Sequence, residues 1–354
     1  TCFVKLTFLI LYMDYVIELF MKLFASSGIK SVRGWLISNV ISISFYGSVY
    51  VIRPTPLKNG DKVGYVAPAG PIIKDRLESA INALECLGLK VILGKSCTLE
   101  HGYFAGEDIL RADDINEMFD NKDIKAVYAL RGGYGCARLL DKINFTAIKE
   151  NPKALFGYSD ITMLHIAINQ RCNLITYHAP MPATELYKGI DKFTLNSLKK
   201  MIFANDLKGN LYNPRSKKIK FIVEGKACGK LTGGNLSIIC SSLGTDNEID
   251  TNNKILFIEE IAEEPYKIDR MLLQLIQAKK INACSGIILG YFSNCKASKP
   301  QQSLTISEII EELLKPLGKP IITGVACGHS LPSLTLPMGA EVLIDSKNKI
   351  IKLV

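Results

Sequence analysis

Ser159 lies in the run Gly157-Tyr158-Ser159-Asp160, where an apolar strand hands over to a helix. A hydroxyl at such a junction is presented at the carboxyl edge of a sheet, and the N–H that follows points out of a helix N-terminus. This is the arrangement of a nucleophile elbow, in which the amide after the nucleophile helps to bind an oxyanion. Agreement with GxSxG is incomplete, because Ile161 stands where the second glycine would be, and a serine at such a junction is commonly no more than a helix cap. A second turn, Arg131-Gly132-Gly133-Tyr134-Gly135, offers backbone N–H groups to an oxyanion or a phosphate. It matches neither GxGxxG nor the Walker pattern, and a tight turn that needs glycine for its backbone accounts for it equally well.

A serine nucleophile needs a base, and the chain has four histidines. His101 falls in a polar loop, and His165 sits on a predicted helix among apolar residues, where a satisfied core imidazole is the usual outcome. His178 follows the strand in LITYHAP, and His329 lies in the loop ACGHSLP, so both stand near sheet edges where a base would be useful. The third member of a triad is a carboxylate that orients the imidazole. Glu259 and Glu260 end the strand KILFIEE, and Glu263 and Glu264 follow in the turn. Periodicity does not choose among them, although the first, at the end of an apolar strand, is best placed to face a cleft. No HExxH-like spacing supports a zinc hydrolase, and no cofactor or metal motif is present.

These residues need a scaffold, and the pattern supplies one. From about Val51, strands (KVGYVAPAG, VILG, IKAVYAL, ALFGY) alternate with helical stretches (RLESAINALECLGL, ILRADDINEMFD, ITMLHIAINQ), the signature of a parallel sheet covered by helices. Beyond about residue 220 short β-rich runs dominate (KIKFIVEG, KILFIEE, GIILGYF, PIITGVA, EVLID), with helices near 235–243, 266–278 and 304–315, which predicts a second, mixed α/β domain. A length of 354 residues suits two domains, and 48% hydrophobic with 22% charged residues excludes a disordered or fibrous chain. Ten scattered cysteines without a CxxC pair fit a reducing compartment better than a disulfide framework. Of the net charge of +9, an excess of eight falls between residues 188 and 230, mostly as lysine and without a nucleic-acid-binding motif. A solvated linker is expected there rather than a nucleic-acid interface. The opening run FLILYMDYVIELFMKLF is broken by Asp14, Glu18 and Lys22, and the uncharged stretch 34–52 is diluted by serines and an asparagine. An extension outside the catalytic fold, or a mis-set start, accounts for this segment better than a membrane anchor.

Taken in order, GYVAPAGPI, YFAGEDILRADDINEMF, AVYALRGGYGCARLLD, LFGYSDITMLH, GKLTGGNLSII, ILFIEEIAEEPYKIDRMLLQL, GIILGYF and ITGVACGHSLPSLTLPMGAEVLID resemble the LD-carboxypeptidase (muramoyl-tetrapeptide carboxypeptidase) family of serine peptidases. The resemblance runs from about residue 51 to the C-terminus. It implies a Rossmann-like parallel-sheet N-terminal domain and a β-rich mixed α/β C-terminal domain. The expected division is 1–50 as an unassigned apolar extension, 51–187 with the nucleophile, 188–222 as the lysine-rich linker and 223–354 with the triad acid and base. Residue by residue, it implies Ser159 as nucleophile, Glu259 rather than Glu260 as triad acid, and His329 as base. It further implies the backbone N–H groups of Asp160 and Gly133 as oxyanion donors. The implied reaction is hydrolysis of the amide before a terminal D-alanine of murein tetrapeptides, without a cofactor, by a cytoplasmic homodimer in peptidoglycan recycling. A microcin C-type immunity peptidase of the same family and a non-catalytic α/β ligand-binding protein are the alternatives.

Overall fold

Runs rich in Val, Ile, Leu and aromatic residues form the strands, as β-branched and aromatic side chains favour. The structure, a computed structural model, describes residues 51–354, which make up one unit. The expectations for residues 1–50 lie outside the described residues; Ile52, just beyond, bridges to Leu174. Among the described residues no helix is long and apolar enough to cross a membrane.

The first half alternates strand and helix. Strands β1 (Lys62–Val66), β2 (Lys90–Leu93), β3 (Ile124–Ala129), β4 (Ala154–Gly157) and β5 (Thr176–His178) pair in parallel in the order β5-β4-β3-β1-β2. Helices α1 (Leu77–Glu85), α2 (Asp108–Asp120), α3 (Phe145–Glu150) and α4 (Thr162–Cys172) lie in the crossovers. Strands buried on both faces read as continuous apolar runs rather than alternating ones, and β4 is buried along its whole length.

The lysine-rich stretch departs from the expected linker. It contains helix α5 (Lys192–Phe203), capped by Asp191, whose carboxylate accepts from the Thr194 N–H at 3.0 Å, with Leu198, Met201 and Ile202 buried. The lysines occupy its outer face, so charge count alone concealed an amphipathic helix.

The second half builds an eight-stranded sheet. Its strands are β6 (Gly209–Asn210), β7 (Lys220–Val223), β8 (Lys226–Asn235), β9 (Ile255–Ile261), β10 (Gly286–Ser293), β11 (Ile321–Thr323), and, after β12 (Leu336–Met338), β13 (Glu341–Asp345) and β14 (Ile350–Leu353). The order is β6-β14-β13-β8-β9-β10-β11-β7, with β8 to β11 parallel and the flanking strands antiparallel. Helices α6 (Leu236–Ser241) and α7 (Pro265–Gln277) cover it, and α7 buries Ile268, Leu272 and Leu275 at helical spacing. Strand β12 crosses back to pair antiparallel with β5 and becomes the edge of the first sheet, a position that tolerates Pro337. One continuous core joins the halves, with Tyr128, Phe156 and Tyr177 from the first and Leu231, Phe257 and Ile322 from the second.

Candidate active site

Strand β4 ends in Gly157, and the chain turns through Tyr158 into Ser159, which opens a single 3-10 turn ahead of α4. Ser159 adopts φ of 65°, unusual for a residue with a Cβ. Such a conformation stores strain and is held in place by its neighbours. Two contacts do so here. A Cβ on Gly132 would stand 2.8 Å from Ser159 Cβ, so the glycine turn lies directly against the serine. The buried Asp160 carboxylate accepts the Cys136 N–H at 2.8 Å and so ties the chain just after that turn to the elbow. Burial raises the Asp160 pKa against the lowering effect of these hydrogen bonds. Gly133 packs instead on Gly70, where a Cβ would approach the Gly70 nitrogen at 3.0 Å.

The candidate base and acid come from the other half. His329 lies in the loop after β11, and its Nε2 is 3.0 Å from Ser159 Oγ while its Nδ1 is 2.7 Å from Glu259 Oε2. Since Nδ1–H donates to the carboxylate, Nε2 is left to accept the serine hydroxyl. Glu259 is fully buried near the end of β9. Its neighbour Glu260 is spent elsewhere: it accepts from Asn235 Nδ2 at 2.8 Å, from the Ser237 N–H at 2.8 Å and hydroxyl at 2.6 Å, and from its neighbouring Ile261 N–H at 2.8 Å. Alternation along the strand thus sends adjacent glutamates to different tasks. Burial pushes the Glu259 pKa up, opposed by the hydrogen bond from His329. Burial works against a charged His329, yet the hydrogen bond and charge of Glu259 outweigh it and raise the imidazole above its ordinary value.

Strand β10 and helix α5 hold the histidine loop. The Tyr291 N–H donates to Cys327 O at 2.8 Å, the Tyr291 hydroxyl donates to Pro332 O at 2.9 Å, and the Ser293 and Ser330 hydroxyls meet at 2.6 Å. From α5, Thr194 Oγ1 accepts the Ser333 N–H at 2.8 Å and Ser197 Oγ accepts the Thr335 N–H at 2.9 Å. Sequence reasoning did not find Thr194 or Ser197; their signal, a polar stripe at helical spacing, was hidden among lysines.

The remaining histidines separate clearly. His165 is buried, with Nε2 donating to Gly157 O at 2.9 Å and Nδ1 accepting from Thr176 Oγ1 at 2.8 Å, and burial lowers its pKa to about 4. It is a neutral prop beneath the elbow. His178 is buried between Tyr158 and Phe257, with ring centroids 5.4 and 5.2 Å away, and burial holds it well below the imidazole range. His101 is exposed and bridges to Phe104 through its backbone. Glu263 pairs with Lys267 at 3.1 Å, and Glu264 stands at the N-cap position of α7 with its carboxylate accepting from the Ser298 N–H and hydroxyl rather than from the helix. Among the described residues no three His, Cys, Asp or Glu gather as a metal site, and nine cysteines are unpaired. The arrangement can therefore deprotonate a serine and stabilise the resulting imidazolium.

Comparison with known proteins gives this geometry a context. Profiles described as the LD-carboxypeptidase N-terminal domain and the LD-carboxypeptidase C-terminal domain match residues 63–179 and 228–344. The probable murein peptide carboxypeptidase of Bacillus subtilis is 41% identical over 300 residues, covering 84% of this chain and 92% of the relative. The crystal structure of a muramoyltetrapeptide carboxypeptidase from Oxalobacter formigenes is 30% identical and superposes with a TM-score of 0.73, covering 82% of this chain and 97% of that one. The microcin C7 self-immunity protein MccF, in complex with aspartyl sulfamoyl adenosine, is 26% identical with a TM-score of 0.80, covering 86% and 98%.

Proposed function

The chain belongs to the LD-carboxypeptidase family, and on that premise we propose that it is a serine-type carboxypeptidase that releases terminal D-alanine from murein tetrapeptides. The observation that carries the reading is the hydrogen-bonded series from Ser159 through His329 to buried Glu259. In this mechanism His329 takes the Ser159 proton as the serine attacks the amide carbonyl before the last residue. Backbone donors at Asp160 and the Gly132–Gly133 turn stabilise the oxyanion, each worth about 3 kcal/mol in the transition state. The imidazolium then protonates the leaving amine, and water, activated by the same histidine, hydrolyses the acyl-enzyme. Glu259 fixes the imidazole tautomer and stabilises its charge.

The substrate assignment rests on relatives named for murein peptides. The same reading makes the protein a cytoplasmic homodimer acting in peptidoglycan recycling. The domain division proposed with it is 51–187 for the half with the nucleophile and 223–354 for the half with acid and base. Likeness to MccF supports one competitor, an immunity peptidase acting on a peptidyl-nucleotide. The test is to supply purified protein with a murein tetrapeptide ending in D-alanine, the same peptide ending in L-alanine, and an aspartyl sulfamoyl adenosine. Release of alanine from the D-ended peptide alone is expected. Cleavage of the nucleotide conjugate alone would replace this reading with the competitor.

A further inference from the structure

Beside His329 opens a cavity of about 280 Å³, walled by Tyr158, His178, Glu185, Lys188, Ser330 and Leu331 among others. Its position relative to the reaction fixes which part of a substrate it receives. The oxyanion of an attacked carbonyl must face the glycine turn against Ser159, whereas the leaving nitrogen must lie within reach of the imidazole that protonates it. The cavity is lined by His329 and the residues that follow it, and by none of the glycine turn. A residue whose nitrogen is protonated by His329 can therefore reach into it.

The chemistry of the walls suits one end of a peptide. Lys188 is the sole lysine or arginine lining the cavity; it is exposed, its Nζ stands 5.9 Å from the Tyr187 ring centroid, and it makes no ion pair with a described residue. The one carboxylate there is already spent: Glu185 Oε1 accepts the Tyr158 hydroxyl at 2.6 Å and its Oε2 accepts the Met181 N–H at 2.8 Å. The wall also holds His178, 2% exposed, neither of whose ring nitrogens has a protein partner. A cation without an ion-pair partner, with the unpartnered imidazole of His178 in the same wall and the proton donor for the leaving amine beside it, fits an anion carried by the leaving residue.

We propose that this cavity is the subsite for the departing C-terminal residue and that the Lys188 ammonium binds its free carboxylate. The inference rests on the carboxypeptidase reading and explains why cleavage would be confined to the chain end: an internal residue presents a neutral amide where the ammonium expects a carboxylate. A cation facing a free carboxylate also discriminates by charge, since the acid gains an ion pair with the ammonium that the amide analogue cannot make.

The test compares kcat/KM for a murein tetrapeptide ending in free D-alanine with that for the same peptide ending in D-alaninamide, using the wild type, Lys188→Ala and Lys188→Arg. Wild type is expected to prefer the free acid. Lys188→Ala should lose about ten- to a hundredfold on the acid, mainly through KM, and stay within about twofold of wild type on the amide. Lys188→Arg should keep the preference. An unchanged preference in Lys188→Ala, or an equal loss on both substrates, would overturn the subsite while leaving the carboxypeptidase reading intact. A wild type inert toward both peptides would overturn that reading and the subsite with it.

Discussion

In the proposed triad, Ser159, His329 and Glu259 divide the work by environment. A buried carboxylate on one ring nitrogen raises the imidazole above its ordinary value, and the base must be neutral to accept the serine proton. Activity is therefore lost as pH falls through the raised value, so the acidic limb of kcat/KM should lie above the ordinary imidazole pKa of about 6.5. Glu259→Gln removes the charge that raises His329 and leaves the burial that lowers it. The limb should move to lower pH, and kcat/KM at its plateau should fall by roughly three to four orders of magnitude, since the amide no longer stabilises the imidazolium. A pH–rate series on both proteins checks this, and an acidic limb unmoved by the substitution would separate Glu259 from His329. The four hydrogen bonds at Glu260 explain why it cannot substitute for its neighbour.

The strands and turns show how much of this was legible in the sequence. Apolar runs such as IKAVYAL and KILFIEE announce β3 and β9, because strands buried on both faces are predominantly apolar. Strand β8 escaped that reading although it is the longest, since Gly229, Gly233 and Gly234 look like loop residues. They are required there: a Cβ on Gly233 would meet Phe257 O at 2.1 Å, and one on Gly234 would meet Thr162 Oγ1 at 2.4 Å. The second of these brings the end of β8, in one half, against the start of α4, which follows the nucleophile in the other. Helix α5 and the crossing strand β12 were likewise hidden, one by lysines and the other by a proline. Candidate site residues were legible only as types near sheet edges; the choice of His329 over His178 and of Glu259 over Glu260 needed the resemblance or the coordinates. The glycine turn offers a test of its own. Gly132 does not have a positive φ, so alanine suits its backbone, yet the added methyl would press on Ser159 Cβ at 2.8 Å. Gly132→Ala should keep its far-UV spectrum and lose about a hundredfold in kcat by displacing the nucleophile. Full activity would mean that the turn does not position the serine.

Neither half holds a complete site. The proposed nucleophile Ser159 stands on the first sheet and the proposed acid and base, Glu259 and His329, on the second, and the shared core and strand β12 fasten the two together. The His329 loop is braced from β10 on one side and α5 on the other, so the distances of 3.0 and 2.7 Å along the series depend on the packing of the described unit as a whole. Ser159 Oγ is the atom this assembly is proposed to activate. The most direct measurement is D-alanine released from a disaccharide-free murein tetrapeptide by wild type and by Ser159→Ala at equal concentration, with matched far-UV spectra. Steady release by the wild type and a fall of at least about a thousandfold in the variant are expected. Release by Ser159→Ala at the wild-type rate would remove Ser159 from the mechanism.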